Sequence, residues 1–154
     1  MIIGEGQPMK KIVKIVIKGE SGYCSADDAF HDKVTLEENR ISYEYLPMFP
    51  SEHNKEKKWS FKTSNPFFKT VYDHVCEMIP DALNIDLDIC YTDIGAIDFI
   101  ITYDDKSKDK KQFFVLGDDF GMLFKTIKQL VPVVEDIPVA LRSEEDWESL
   151  YKAD

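Results

Sequence analysis

The chemistry-bearing side chains of this chain crowd into residues 19–32, GESGYCSADDAFHD, which hold Cys24, His31, Glu20 and three aspartates. A cysteine becomes a nucleophile when a base within hydrogen-bond reach makes its thiolate and a third group orients that base. His31 would be the base, and Asp27, Asp28 or Asp32 the orienter. The same stretch offers Cys24, Asp27 and His31 as three metal ligands, with Asp27 and His31 on one side of a helical turn. Neither chemistry is completed. Cys24 precedes His31 by seven residues in one connection, whereas such dyads are usually assembled from separate elements, and no glycine-backed helix start follows Cys24 to bind an oxyanion. A structural zinc site wants four ligands dominated by Cys and His, yet there is no CxxC pair and no Asp-x-Asp-x-Asp-Gly calcium loop. The expectation is a binding loop with no catalytic residue, no metal and no cofactor. In it Gly22 and Cys24 form a tight bend and the aspartates cap a short helical turn from Ala26 to His31.

Asp93 joins this candidate set. In YTDIGAIDF, residues 91–99, it stands just before the most apolar strand, where a buried carboxylate would accept backbone N–H bonds of the turn. Whether it meets Cys24 and His31 in one pocket decides how much chemistry the set can do. His74 and Cys76, two apart on a helix, do not face each other, and His53 sits in a polar loop. A Gly-rich phosphate loop, a GxSxG elbow and an HExxH pair are all missing from the sequence, which weighs against an enzyme.

The elements that must position these residues follow from periodicity. Val13, Ile15 and Ile17 alternate with Lys14 and Lys18, the mark of a half-buried strand. Val34–Leu36 and Ile41–Tyr45 form a hairpin around Glu38-Asn39, where asparagine tolerates positive φ. Residues 47–57 read as a polar loop, and Trp59, Phe61 and Thr63 as the next strand. Asn65-Pro66 starts a helix, asparagine capping and proline at the first position; Phe67 or Phe68, Val71, Val75 and Met78 or Ile79 continue it and Pro80 stops it. Strands follow at 85–89 and 97–103, then a turn at DDKSKDKK and a strand from Gln112 to Leu116. Asp118 caps a second helix through Leu130, ended by Pro132, and Ser143-Glu144-Glu145-Asp146 has the form of a capping box for a short third helix. Strands in antiparallel runs predict an α+β fold: an antiparallel sheet with two main helices packed on one face, in two layers, and a short C-terminal helix.

At 154 residues with 44% apolar content the chain can bury a core of its own. Nineteen Lys and Arg against 29 Asp and Glu leave a net charge of −10, which a nucleic-acid backbone repels and a basic protein surface attracts. Three cysteines (Cys24, Cys76 and Cys90) are an odd count without regular spacing, so reduced thiols in the cytoplasm are expected instead of a disulfide framework. No run approaches the roughly 18 apolar residues of a membrane span. Lys14 and Lys18 interrupt the apolar N-terminal stretch, unlike a secretory signal. Met9-Lys10-Lys11 looks like a natural start, giving a leader over 1–8 and one α+β domain over 9–154. The hairpin bearing Tyr43 and Tyr45 reads as a sheet edge through which oligomers could pair.

KGESGYCSADDAFHDKVTL, KWSFKTSNPFF, YTDIGAIDFIITYDD and IKQLVP together resemble a family of small uncharacterised proteins of unknown function from anaerobic Gram-positive bacteria, over Lys10 to about Trp147. The resemblance implies a bacterial, cytoplasmic protein and carries no activity to any position. The expected function is therefore a non-enzymatic binding or protein-interaction domain with a basic-surfaced protein partner. The competing reading is a small thiol- or metal-dependent hydrolase using Cys24 and His31.

Overall fold

Six strands and three helices make up the structure, a computed structural model that describes residues 10–21, 24–85, 96–113 and 120–152. The strands are β1 (Ile12–Glu20), β2 (Phe30–Glu37), β3 (Arg40–Pro47), β4 (Lys57–Lys62), β5 (Ala96–Tyr103) and β6 (Lys108–Phe113), and the helices α1 (Pro66–Leu83), α2 (Gly121–Lys128) and α3 (Glu144–Lys152). All neighbours pair antiparallel in the order β4-β3-β2-β1-β5-β6. This is the α+β, two-layer arrangement that the strand and helix patterns predict.

Alternation decides which side of the sheet each residue takes. Ile15 and Ile17 on β1 stand beside Leu36 and Val34 on β2 and Ile101 and Phe99 on β5. These six join Val71, Val75 and Ile79 of α1 and Leu123, Phe124 and Ile127 of α2 in one buried cluster. The other face of the sheet carries mostly lysines, hydroxyls and a few carboxylates. Asn65 caps α1, its Oδ1 accepting from the Phe67 amide at 2.9 Å. Phe68 is the residue that turns inward, while Phe67 remains exposed. Ser143 and Asp146 form the reciprocal capping box of α3: the Ser143 amide donates to Asp146 Oδ2 at 2.9 Å and the Asp146 amide to Ser143 Oγ at 3.2 Å.

Several boundaries differ from the sequence expectation. Pro80 does not end α1, which runs to Leu83. In the final turn proline removes few helical bonds, and Ile79 and Ala82 continue the buried stripe beyond it. Lys108–Lys111 is strand, not turn: the reversal closes within four residues, with Tyr103 N–H donating to Ser107 O at 2.9 Å and Lys106 at φ 72°. An edge strand exposed on both faces leaves no alternation to read, and β6 is buried only at Phe113. The Glu38-Asn39 turn closes without positive φ. The β2–β3 hairpin is no edge, because β4 covers it; the outermost strands among the described residues, β4 and β6, are lysine-rich, which disfavours pairing with another chain. The lysine-rich segments at Lys55–Lys62 and Lys106–Lys111 lie at opposite ends of the strand order. The strand expected at 85–89 and the caps expected at Asp93 and Asp118 fall mostly or wholly outside the described residues. So do residues 1–8. No helix among the described residues is long and apolar enough to cross a membrane.

Candidate functional site

The candidate loop leaves β1 at Ser21 and returns to β2 at Phe30. Only Ala26–Asp28 form a helical turn, a single 3-10 turn. His31 is therefore not on a helix with Asp27: β2 begins at Phe30, because this stretch pairs with β1 and β3. The pairing puts His31 and Asp32 on opposite faces of the sheet, and His31 is exposed while Asp32 is 3% exposed. Cys24, Asp27 and Asp28 are exposed as well. Asp28 accepts from Ser25 Oγ at 2.9 Å and lies 3.9 Å from His53 Nε2, whose Nδ1 is 3.3 Å from Ser51 Oγ. A serine, histidine and aspartate in series suggest acyl transfer. Here, however, His53 and Asp28 are each about two-thirds exposed, so water screens the pair and nothing excludes it from the reacting atoms. No group of three His, Cys, Asp or Glu side chains among the described residues is placed to hold a metal ion. Asp93 and Cys90 lie outside the described residues. Cys76 is half-buried on α1, and that burial pushes its thiol up to about 11 despite a hydrogen bond from Tyr72, the opposite of an activated nucleophile.

What organises this end of the sheet is a pair of buried polar side chains, Asp32 and Asn54. Tyr43 and Tyr45, two apart on the core face of β3, donate to them: Tyr43 Oη to Asp32 Oδ2 at 2.7 Å, Tyr45 Oη to Asn54 Oδ1 at 2.5 Å. Asn54 Nδ2 donates in turn to the carbonyl oxygens of Asp27 at 2.8 Å and Ala29 at 3.4 Å. The Met48 amide adds a bond to Ala29 O at 2.8 Å. The loop 24–29 is thus fastened to the loop 48–54, and Ser51 and Asn54 bridge each other's backbones to keep the second loop narrow. The loop joined here exposes Met48 and Phe49, which are 53% and 55% exposed.

Asp32 fixes a different segment, the turn Val139–Leu141. The Ala140 amide donates to Asp32 Oδ2 at 2.9 Å, and the Val139 amide to Tyr43 Oη at 3.2 Å. Oδ1 has no hydrogen-bond partner. It is sealed against Gly19, where an added Cβ would stand 2.2 Å from it and 3.0 Å from Ala140 Cβ. Burial raises the Asp32 carboxyl above its ordinary range; the bonds from Tyr43 and Ala140, the nearby Gly19 amide and the charge of Arg142 only partly offset this. Burial and the Asp32 charge also raise the Tyr43 phenol.

Beyond the turn, Arg142 Nε donates to Ile137 O at 2.8 Å and its guanidinium stacks 4.7 Å from the Trp147 ring. A groove of ≈ 350 Å³ opens there, walled by Tyr43, Tyr45 and Trp59 and ringed by Lys57, Lys58, Arg142, Glu56, Glu135 and Asp136. The Lys58 side chain projects from the opposite face of the sheet, leaving Lys57 and Arg142 against Glu56, Glu135 and Asp136, and so mixed a ring selects neither anion nor cation.

Sequence reasoning named Asp32 only as an orienter for His31 and did not name Asn54. Extending the Val34–Leu36 alternation back two residues would have put Asp32 on the buried face. Asn54 carries no such signal, being a loop residue whose burial depends on a contact 27 positions away. Comparison with family models, with curated proteins and with solved structures finds no match.

Two predictions follow from Asp32. Gly19→Ala, which in an open strand would be neutral or stabilising, should instead cost about 1–3 kcal/mol through overpacking, read from the midpoint of urea unfolding. The second concerns pH. A carboxyl whose folded pKa is raised makes its charged form the costly one, so wild type gains stability as pH falls from the raised value toward the unfolded 3.8. Asp32→Asn lacks this titration, while the other carboxylates are common to both proteins. The stability of wild type relative to Asp32→Asn should therefore be greater at about pH 4.5 than at pH 7. A difference that is constant, or that shrinks toward acid, contradicts the assignment.

Proposed function

We propose that the protein is a non-enzymatic binding domain that recognises another protein through the joined loops 24–29 and 48–54. The observation that carries this reading is the buried Asn54, which ties both loops into one body that exposes Met48 and Phe49. Exposed apolar side chains held in fixed positions are what a partner can desolvate without first ordering a loop. Asp27, Asp28 and Glu52 stand in the same loops and supply a polar, acidic rim. The matching partner surface is apolar at its centre and basic at its margin, in keeping with the chain's net charge of −10. The free thiols of Cys24 and Cys76 and the resemblance to a bacterial family fit a cytoplasmic setting.

A thiol or metal hydrolase would need Cys24 and His31 to act on one substrate. His31 projects from the sheet face opposite Asp32 and Tyr45, and the carboxylate beside the loop, Asp28, faces His53 instead. This supports binding over chemistry for Cys24, Asp27, Asp28 and His31.

The test is a photo-crosslinking residue at Phe49 of the full chain in native lysate. It should give one dominant protein adduct, weakened by Met48→Ser and by Asp27→Asn with Asp28→Asn, substitutions at exposed positions that leave the fold intact. The same probe at Val134, which is 85% exposed in a different loop, should not give that adduct. No adduct at Phe49, or the same adduct at both positions, contradicts the proposal.

A further inference from the structure

The face of the sheet turned away from α1 and α2 is a basic surface on an acidic chain. The strand register lays its side chains out in rows. A central row runs Ser60–Ser42–Thr35–Val16–Ile100–Lys110 across all six strands. On one side of it run Lys58–Glu44–Lys33–Lys18–Asp98–Gln112, and on the other Lys62–Arg40–Glu37 and Lys14–Thr102–Lys108. Eight of the chain's 19 Lys and Arg stand in these rows, with three of its 29 Asp and Glu. The rest of the molecule therefore holds 11 cations against 26 carboxylates. Net charge alone conceals this division.

From β4 to β5 the middle row is built of hydroxyls and β-branched side chains that end short of the lysines, so the flanking rows rise as rims, and Lys110 closes the β6 end. Successive residues on one face are two positions apart, which sets the rims about 13 Å apart, and six strands give the trough a length of about 24 Å. Over β2, β3 and β4 it is hollowed to ≈ 480 Å³ between Lys33, Lys58 and the hydroxyls of Thr35, Ser42 and Ser60. Within it Lys33 has one carboxylate neighbour, Glu44 at 3.4 Å, while Lys58, Lys62 and Arg40 have no ion-pair partner among the described residues. The exposed lysines gain little from one another and repel; an incoming carboxylate row relieves that repulsion.

We infer that this face docks an acidic polypeptide segment of a partner protein, distinct from the contact made by the joined loops. An extended segment of about seven residues spans the trough, its carboxylates reaching the lysine rims and its backbone the serine and threonine hydroxyls. Single-stranded nucleic acid fits less well: the rows hold no aromatic side chain on which a base could stack, and the acidic remainder of the molecule repels a long polyanion. A second copy of the chain would have to dock head-to-tail, its acidic surface on this face, against the mutual repulsion of two acidic molecules.

The experiment titrates a twelve-residue peptide of alternating glutamate and serine into the full-length protein, following backbone amide resonances by NMR. The expected result is saturable binding that weakens as salt is raised, with shifts confined to Thr35, Ser42, Ser60 and their row neighbours. The triple variant Lys33→Glu, Lys58→Glu, Lys62→Glu, altered only in surface side chains, should keep the dispersed spectrum of a folded protein and bind roughly tenfold or more weakly. Absence of binding, equal binding by the triple variant, or shifts centred on the 48–54 loop overturns the proposal. So does an oligothymidylate of the same length binding as tightly as the peptide, or light scattering that shows self-association through this face. The loop reading of the preceding subsection stands or falls on its own crosslink.

Discussion

Two phenol hydroxyls, on Tyr43 and Tyr45 of one strand, hold together the end of the molecule that carries the loops 24–29 and 48–54. Each donates to a side chain that could not be buried without it. Tyr43 satisfies one oxygen of Asp32 and in accepting from Val139 carries the bond on to the turn 139–141. Tyr45 satisfies Asn54, which spends its amide on the backbone of the loop 24–29. Residues two apart on a strand share a face, so one short stretch of β3 fixes two segments whose own regular structure is no more than a single 3-10 turn each. Removing the Tyr45 hydroxyl would leave Asn54 Oδ1 unpaired, and removing that of Tyr43 would take one of two donors from Asp32 Oδ2 and the acceptor from the Val139 amide, losses larger than a single hydrogen bond.

Those clamps bear on what the protein can do. Their carboxylate is sealed away: Asp32 packs against Gly19 and Ala140. The titratable members of the loops, Asp28 and His53, are the reverse, open to water on all sides. Catalysis draws on groups between these extremes, partly desolvated and pointed into a pocket. Recognition has no such requirement; it benefits from loops whose conformational entropy is already lost before a partner arrives. The separation of charge between the two faces of the sheet adds a second way to discriminate partners, by sign as well as by shape.

The sequence makes the layout legible wherever one face of an element is buried. Ile15, Ile17, Val34, Leu36 and Ile41 alternate, and the α1 and α2 stripes recur at helical spacing, so the α+β sheet with two helices on one face can be read directly. Legibility fails at the edges and at the polar interior. β6 is exposed on both faces, so its lysines resemble a turn, and Pro80 ends a helix only when packing beyond it is weak. The candidate loop reads as one cluster because its residues are adjacent in the chain. Strand pairing then divides it, sending Asp32 inward, His31 to the opposite face and Cys24, Asp27 and Asp28 to solvent. Asn54 and the turn 139–141 reach the same place from positions 25 to 108 residues away along the chain, a convergence that no local pattern encodes.

Native-state amide hydrogen exchange tests the clamps most directly, because irregular segments ordinarily exchange within the range of frayed termini and mobile loops. The Ala140 amide reports the Asp32 clamp and the Met48 amide reports the joined loops. Both should exchange at rates close to those of the central strands β1 and β5, although neither lies in an α-helix or the sheet. If they exchange like an unstructured peptide while β1 and β5 remain protected, the loops are not held in advance of a partner and the account of this end of the molecule is wrong.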